Sequence, residues 1–202
     1  DAGTLNCSDA TVQFNELSST YVGYIVQWDW NFGDGTTQTV YHPSNPNVIL
    51  TYASNGTYQV TLTVHASDSC SSSETQTLNI YPKPEANFDF GSTCNGMTVP
   101  FTDLSQGNGG GSLTQWIWDF GDPTTGVANG STLQNPSHLF SGAGTFTVRL
   151  IVMTSNSCSD TVTRQVTILA KPAVDFTTLN TCQNAAVQFQ PNPAGMNINI
   201  IG

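Results

Sequence analysis

The residues in this 202-residue chain with the most direct chemistry are its five cysteines. Oxidised in pairs they would cross-link it; ionised beside histidines they would hold zinc. Cys7 and Cys70 lie 63 residues apart, Cys94 and Cys158 lie 64 apart, and Cys182 is left without a partner in the chain. No CxxC pair or close Cys/His spacing supports zinc. The parsimonious pairing is one disulfide within each of two equal segments, Cys7 with Cys70 and Cys94 with Cys158. Each would close a loop worth about 4 kcal/mol on the chain-entropy model. Such bonds persist in oxidising compartments, so the expected localisation is extracellular or at the cell surface.

Other side chains carry weaker signals. Asp34 and Asp122 each follow a Phe-Gly dipeptide. An Asp there accepts backbone N–H bonds in a turn; with Asp29 or Asp119 and nearby carbonyls it would instead contribute oxygens to calcium. Trp28 and Trp116 precede a second tryptophan by two residues, so in a strand Trp28, Trp30 and Phe32 share a face, as do Trp116, Trp118 and Phe120. Packing into a core is the first reading of that stripe. Trp28 and Trp116, farther from the Phe-Gly-Asp motif, are the candidates for an exposed platform that stacks on sugar or collagen. His42, His65 and His138 have no histidine counterparts 88 residues away, and no GxSxG, HExxH or P-loop pattern is present. No catalytic residue is expected, and the chain reads as a non-enzyme.

The elements that must position these residues follow from a repeat of about 88 residues. Trp28-Asp29-Trp30-Asn31-Phe32-Gly33-Asp34 returns as Trp116-Ile117-Trp118-Asp119-Phe120-Gly121-Asp122, and Cys70 returns as Cys158. Cys7 returns as Cys94 and again as Cys182. A unit of this length can hold its own core, unlike the shorter units of solenoids. Tyr58, Val60, Leu62 and Val64 alternate with polar residues, as do Phe146, Val148, Leu150 and Val152, which is the period of a half-buried strand. Val12 and Phe14 mark an early strand, matched by Val99 and Phe101. Asn-Gly and Gly-Asp turn signals separate the runs, and no stretch sustains a helical period. About seven short strands per unit predicts an all-β Greek-key sandwich. Tyr81-Pro82-Lys83-Pro84 and Ala170-Lys171-Pro172 read as linkers. The expected domains are 1–82, 83–170 and an incomplete third repeat at 171–202.

Composition narrows the partners. Four Lys and Arg residues against 14 Asp and Glu give a net charge of −10. That leaves no cationic cluster to displace counterions from nucleic acid or to meet an anionic membrane surface. No apolar run reaches the roughly 18–20 residues that span a bilayer. The chain opens at Asp1 without a signal peptide, as though cut from something longer.

The segment from Trp30 to Asp34, followed by Asn47 to Tyr52 and by Gly56-Thr57-Tyr58-Gln59-Val60-Thr61-Leu62-Thr63-Val64, resembles the polycystic kidney disease (PKD) domain. Trp118 to Asp122, Asn135 to Phe140 and Gly144 to Val148 resemble it equally. The third repeat matches only in its leading strands. Pro123 departs from the pattern, standing where Gly35 stands in the first copy, which leaves the second turn's conformation open. The resemblance implies tandem immunoglobulin-like β-sandwiches. Some members of the family bind calcium, so calcium is the one cofactor it suggests. The cysteine pair and the extra tryptophan look like tandem modules in giant surface proteins of Bacteroidetes, including gliding-motility adhesins and type IX secretion cargo. Asp160-Thr161-Val162 resembles the O-glycosylation acceptor motif of that group, making Thr161 a candidate. Asn55 and Asn129 fit the N-glycosylation sequon, but Asn-Gly is also a good turn.

The expected function is a structural stalk or spacer in a large bacterial adhesin or filament, its partners being neighbouring repeats, with other copies or surface polysaccharide beyond them. One alternative is a carbohydrate- or protein-binding accessory module of a secreted hydrolase. Another is a strand-exchanging subunit of an extracellular polymer, motivated by the apolar segments 185–189 and 197–201.

Overall fold

In the computed structural model two sandwiches follow one another along the chain, and the structure describes residues 6–9, 11–179 and 188–191. The first module contains β1 (Thr11–Phe14), β2 (Ile25–Asn31), β3 (Thr37–Tyr41), β4 (Val48–Thr51), β5 (Gly56–Ala66) and β6 (Ser71–Ile80). Its larger sheet has the order β3-β2-β5-β6, and β1 pairs antiparallel with β4 in the facing layer. Val12, Trp28, Trp30, Phe32, Val48, Tyr52, Val60, Leu78 and Ile80 are its buried core. The alternating run at β5 faces inward at Tyr58, Val60, Leu62 and Val64, while Thr61 and Thr63 bond Thr75 and Ser73 across the outer face.

The second module repeats this plan. It contains β7 (Phe88–Phe90), β8 (Val99–Asp103), β9 (Leu113–Asp119), β10 (Gly130–Ser131), β11 (Ser137–His138), β12 (Gly144–Thr154) and β13 (Ser159–Ile168). The sheet β10-β9-β12-β13 faces β11-β8-β7 across an apolar core. Pro123 opens a short 3-10 segment, Pro123–Asn129, kinked at Gly126. Its ring suits the first turn of such a segment, where its missing N–H costs nothing. Two further strands, β14 (Phe176–Leu179) and β15 (Gln188–Pro191), pair antiparallel beyond the second module. Of the two apolar segments that suggested strand exchange, 185–189 enters the described residues only where β15 begins, and 197–201 lies outside them, as does Cys182.

The Phe-Gly-Asp motif is explained by close approach. Gly33 and Gly121 have φ of +77° and +69°, and a Cβ on them would come within 2.7 Å of the Gln59 carbonyl oxygen and 2.4 Å of the Thr147 carbonyl oxygen. Only glycine allows both the conformation and the contact.

Each module has two poles. The chain leaves module 1 after β6, at its downstream pole, and the tight turn between β5 and β6 lies at the opposite, upstream pole. The same holds for β13 and the β12–β13 turn of module 2. No helix among the described residues is long and apolar enough to cross a membrane.

Candidate functional site

The tryptophans proposed as exposed platforms are not exposed. Trp28 is 7% accessible and lies in the first core, its Nε1 buried without a hydrogen-bond partner among the described residues. Trp116 is half-buried against the second core and donates its Nε1–H to Asp103 at 2.7 Å. The alternation that aligns these rings with Trp30 and Trp118 carries all four to the sheet's inner face. Trp118 is 2% accessible and donates to the Leu133 carbonyl, while Trp30 donates to that of Pro46. Neither Trp28 nor Trp116 offers a flat face to a polymer.

The paired carboxylates are turn anchors. Asp34 is exposed and accepts both the N–H and the hydroxyl of Thr36. Asp122 is 1% accessible. It accepts the Ser141 N–H and hydroxyl and the Thr124 hydroxyl, each at 2.7 Å, with His138 Nε2 at 3.4 Å. Desolvation works against its charge, but the hydrogen bonds from Ser141, Thr124 and His138 outweigh it and hold the carboxyl below its ordinary range. These donors occupy the lone pairs that calcium would need, so the carboxylate does not fit the cation suggested by the resemblance. Among the described residues no three His, Cys, Asp or Glu side chains converge on a point.

His138, Asp122 and Ser141 had no signal as a group in the sequence. Their order does not suit nucleophilic catalysis, because the serine donates to the carboxylate and not to the imidazole. His138 is stacked on Phe120 at 4.3 Å and edge-on to Phe140 at 4.6 Å, as a core side chain. In module 1 the corresponding fastening is Tyr52, whose hydroxyl donates to the Phe32 carbonyl at 2.9 Å. Asp29, bonded by Thr39, Gln27 and His65, is held low by the first two before the histidine.

Thr161 is exposed on β13, while Asp160 beside it accepts the Ala86 N–H at 2.8 Å. Asn55 is exposed, whereas Asn129 donates its side-chain amide to Asp119 and accepts the Asp122 N–H.

The cysteine pairing expected within each repeat is corrected by the structure. Cys7 is bonded to Cys158, with Cα atoms 5.7 Å apart, and Cys70 and Cys94 are free and exposed. The reason is position along the sandwich. Cys7 forms a parallel bridge with Tyr81 at the downstream pole of module 1. Cys70 closes the β5–β6 turn at the upstream pole, and ten paired positions of the hairpin separate the two ends. At about 3.3 Å per residue that is roughly 30 Å, far beyond the ~7 Å Cα limit of a disulfide. Cys94, bridged to Leu169, and Cys158, in the β12–β13 turn, are held apart in the same way.

The bond therefore crosses the junction, and the residues around it form a built interface. Tyr81 donates to the Asn6 carbonyl and Ser8 to that of Tyr81, clamping the Cys7 segment onto the linker. Lys83 Nζ lies 3.7 Å from Asp9. On the module 2 side, Asn108 donates to the Lys83 carbonyl, and Glu85 and Gln106 exchange both backbone bonds. Gly110 approaches the Pro82 carbonyl so closely that a Cβ would sit 2.3 Å from its oxygen. Linker, early segment and hairpin turn are thus fastened together, with the disulfide joining the two ends of a 151-residue separation.

Module 1 also has a cleft of about 510 Å³ floored by Phe14, Trp30, Val60, Leu62 and Leu78. In module 2, Phe88 of β7 is fully buried against Trp118 and Phe101. Val148, Leu150 and Val152 of the same core are all inaccessible.

Comparison with known proteins agrees with this architecture. A PKD-domain family model matches residues 4–79 and a second PKD-domain model matches residues 79–168. Collagenase ColA of Bacillus cereus is 33% identical over 86 residues, 43% of this chain and 8% of that collagenase. The PKD1 domain of Vibrio anguillarum Epp is 28% identical, covering 44% of this chain and 96% of that one with a TM-score of 0.38. The PKD1 domain of the Vibrio cholerae metalloprotease PrtV is 26% identical, covering 43% and 96% with a TM-score of 0.37. With adjoining PKD matches over most of its length, the chain belongs to the PKD-domain family.

Proposed function

We propose that this chain is a load-bearing spacer within a larger exported protein, a stalk segment of a bacterial cell-surface adhesin or filament. The observation that carries the reading is the Cys7–Cys158 bond across the module junction. A linker of a few residues lets two sandwiches swing; a covalent bond beside it restricts the pair to a narrow range of angles. It also alters the path of force. Tension applied to the two ends of the chain passes through the disulfide, and the residues between Cys7 and Cys158 are shielded from extension. Such a bond requires an oxidising compartment, which supports an extracellular location. The cysteine and tryptophan pattern supports the finer assignment to the Bacteroidetes surface proteins of gliding motility and type IX secretion. The role needs no catalytic group.

Single-molecule pulling tests it. The oxidised chain is expected to lengthen only outside the bridged segment. Reduction is expected to release roughly 500 Å more, about 3.3–3.6 Å for each of the 151 residues of separation. Full extension of the oxidised chain at low force rejects the reading.

Similarity to segments of a collagenase and a metalloprotease favours a second reading, an accessory module of a secreted hydrolase. Saturable binding of the oxidised chain to collagen fibrils or an insoluble polysaccharide would favour it over the spacer.

A further inference from the structure

Among the described residues, the two free cysteines each stand in the local geometry of one half of the bond that is formed. Cys94 repeats Cys7. Leu169 donates to the Thr93 carbonyl at 2.7 Å and receives the Asn95 N–H at 2.8 Å, as Tyr81 does with Asn6 and Ser8. Both cysteines make a parallel bridge with that linker residue, and Lys171 packs on Gly96 as Lys83 approaches Asp9. Cys70 in turn repeats Cys158. The Ala66 N–H bonds the Cys70 carbonyl and the Thr154 N–H the Cys158 carbonyl, both at 2.8 Å. Ser69 and Ser157, the residues before the two cysteines, share positive φ values of 69° and 63°.

The surfaces around the free thiols are uncovered in the same sense. Leu169 is 58% accessible, whereas its counterpart Tyr81, at the stapled junction, is only partly exposed. At the upstream pole of module 1, Tyr24 is exposed beside the Cys70 turn and its carbonyl receives the Ser67 N–H. Tyr21 and Val22, next to it in the same loop, are fully and 68% accessible. Apolar side chains at both poles thus lie beside a cysteine whose equivalent is bonded where two modules meet.

We propose that Cys94 and Cys70 are the halves of further inter-module staples. Cys94 bonds the hairpin cysteine of a like module that follows, and Cys70 bonds the early-segment cysteine of a like module that precedes. The proposal rests on the spacer reading, since it requires like modules to adjoin this pair. The oxidant is a low-molecular-weight disulfide such as oxidised glutathione. One thiolate attacks it to form a mixed disulfide and release one reduced thiol. The second protein thiolate attacks the mixed disulfide and releases another, so two protein thiols become one disulfide and one small disulfide becomes two thiols. Because Cys94 lies between Cys7 and Cys158, consecutive staples overlap along the chain and interlock.

The test inserts residues 83–170 a second time after Ala170 in the full chain, oxidises with the glutathione couple and counts iodoacetamide-reactive thiols. The insertion brings two more cysteines but is expected to add no reactive thiol, since Cys94 of the first copy pairs with Cys158 of the second. A rise of two overturns the proposal. Replacing Cys94→Ser in the first copy sharpens the sign: reactive thiols increase by one where the staple had formed and fall by one where Cys94 had been free. The Cys7–Cys158 bridge, mapped in the same digest, reports the folding of both chains. A failed staple with that bridge intact leaves the spacer reading standing, which the pulling experiment decides separately.

Discussion

Cys7 and Cys158 are joined across the junction of two sandwiches that each possess a core of their own. The bond consequently governs how the modules are arranged more than whether each is folded. Reduction, or Cys158→Ser, is expected to leave near-native circular dichroism while small-angle scattering shows a broader distribution of maximum dimensions. An unchanged scattering profile after reduction would mean that the linker contacts alone hold the junction.

Asp122 sets an acid limit on module 2. Its carboxyl is held below the ordinary range in the fold, so its stabilisation is complete above the unfolded value of ~3.9 and is lost as pH falls through the lower folded value. Acid titration should begin to weaken module 2 only below about pH 4. Asp122→Ala, which strands the Ser141 and Thr124 donors, should cost about 2–4 kcal/mol in urea denaturation. A loss under half a kilocalorie would show that water replaces the carboxylate freely.

Tyr52 sets an alkaline limit on module 1. Burial, with Asp34 and Tyr58 nearby, pushes its phenol up to about 12. A raised value means that stability is complete below the unfolded value of ~10 and is lost as pH rises toward 12. Phe140 occupies the matching place in module 2 and has no hydroxyl to titrate. Near-ultraviolet tyrosinate absorbance followed against unfolding should show module 1 giving way first above about pH 10. Simultaneous loss of both modules would argue against Tyr52 as the trigger.

The two outer tryptophans should respond unequally to replacement by phenylalanine. Trp28→Phe removes a buried N–H that has no partner among the described residues, and stability is expected to change by less than about 1 kcal/mol. Trp116→Phe removes the donor to Asp103, which retains Gln134, at a cost of about 1–2 kcal/mol. Thermal or chemical melts distinguish them, and the reverse ranking would contradict the assigned hydrogen bonding.

Asp68 should restrain Cys70. Its charge and its hydrogen bond raise the thiol above the ordinary value, keeping the thiolate fraction low near neutrality. Asp68→Asn is expected to accelerate alkylation of Cys70 at pH 7.5 several-fold while leaving Cys94 unchanged. Equal rates in both chains would remove Asp68 as the cause.

The local pattern determined much of this. Alternation at Tyr58, Val60, Leu62 and Val64 announces a strand whose inner face is buried, because successive side chains point to opposite sides of a sheet whatever surrounds it. The Phe-Gly-Asp turns and the 88-residue period were equally visible, since turn chemistry and duplication are written in short stretches of residues. The partner of Cys7 was not. Nearness in sequence and equal spacing favoured Cys70, but the hairpin of β5 and β6 carries Cys70 to the far pole. Only the docking of one module on the next brings Cys158 within bonding distance. In the same way Asp122, Ser141 and His138 meet only after the 3-10 segment and β11 fold back over the core. Periodicity is a property of the chain near each residue; which pole a side chain reaches, and what waits there, depends on the summed lengths of strands and the contacts between modules.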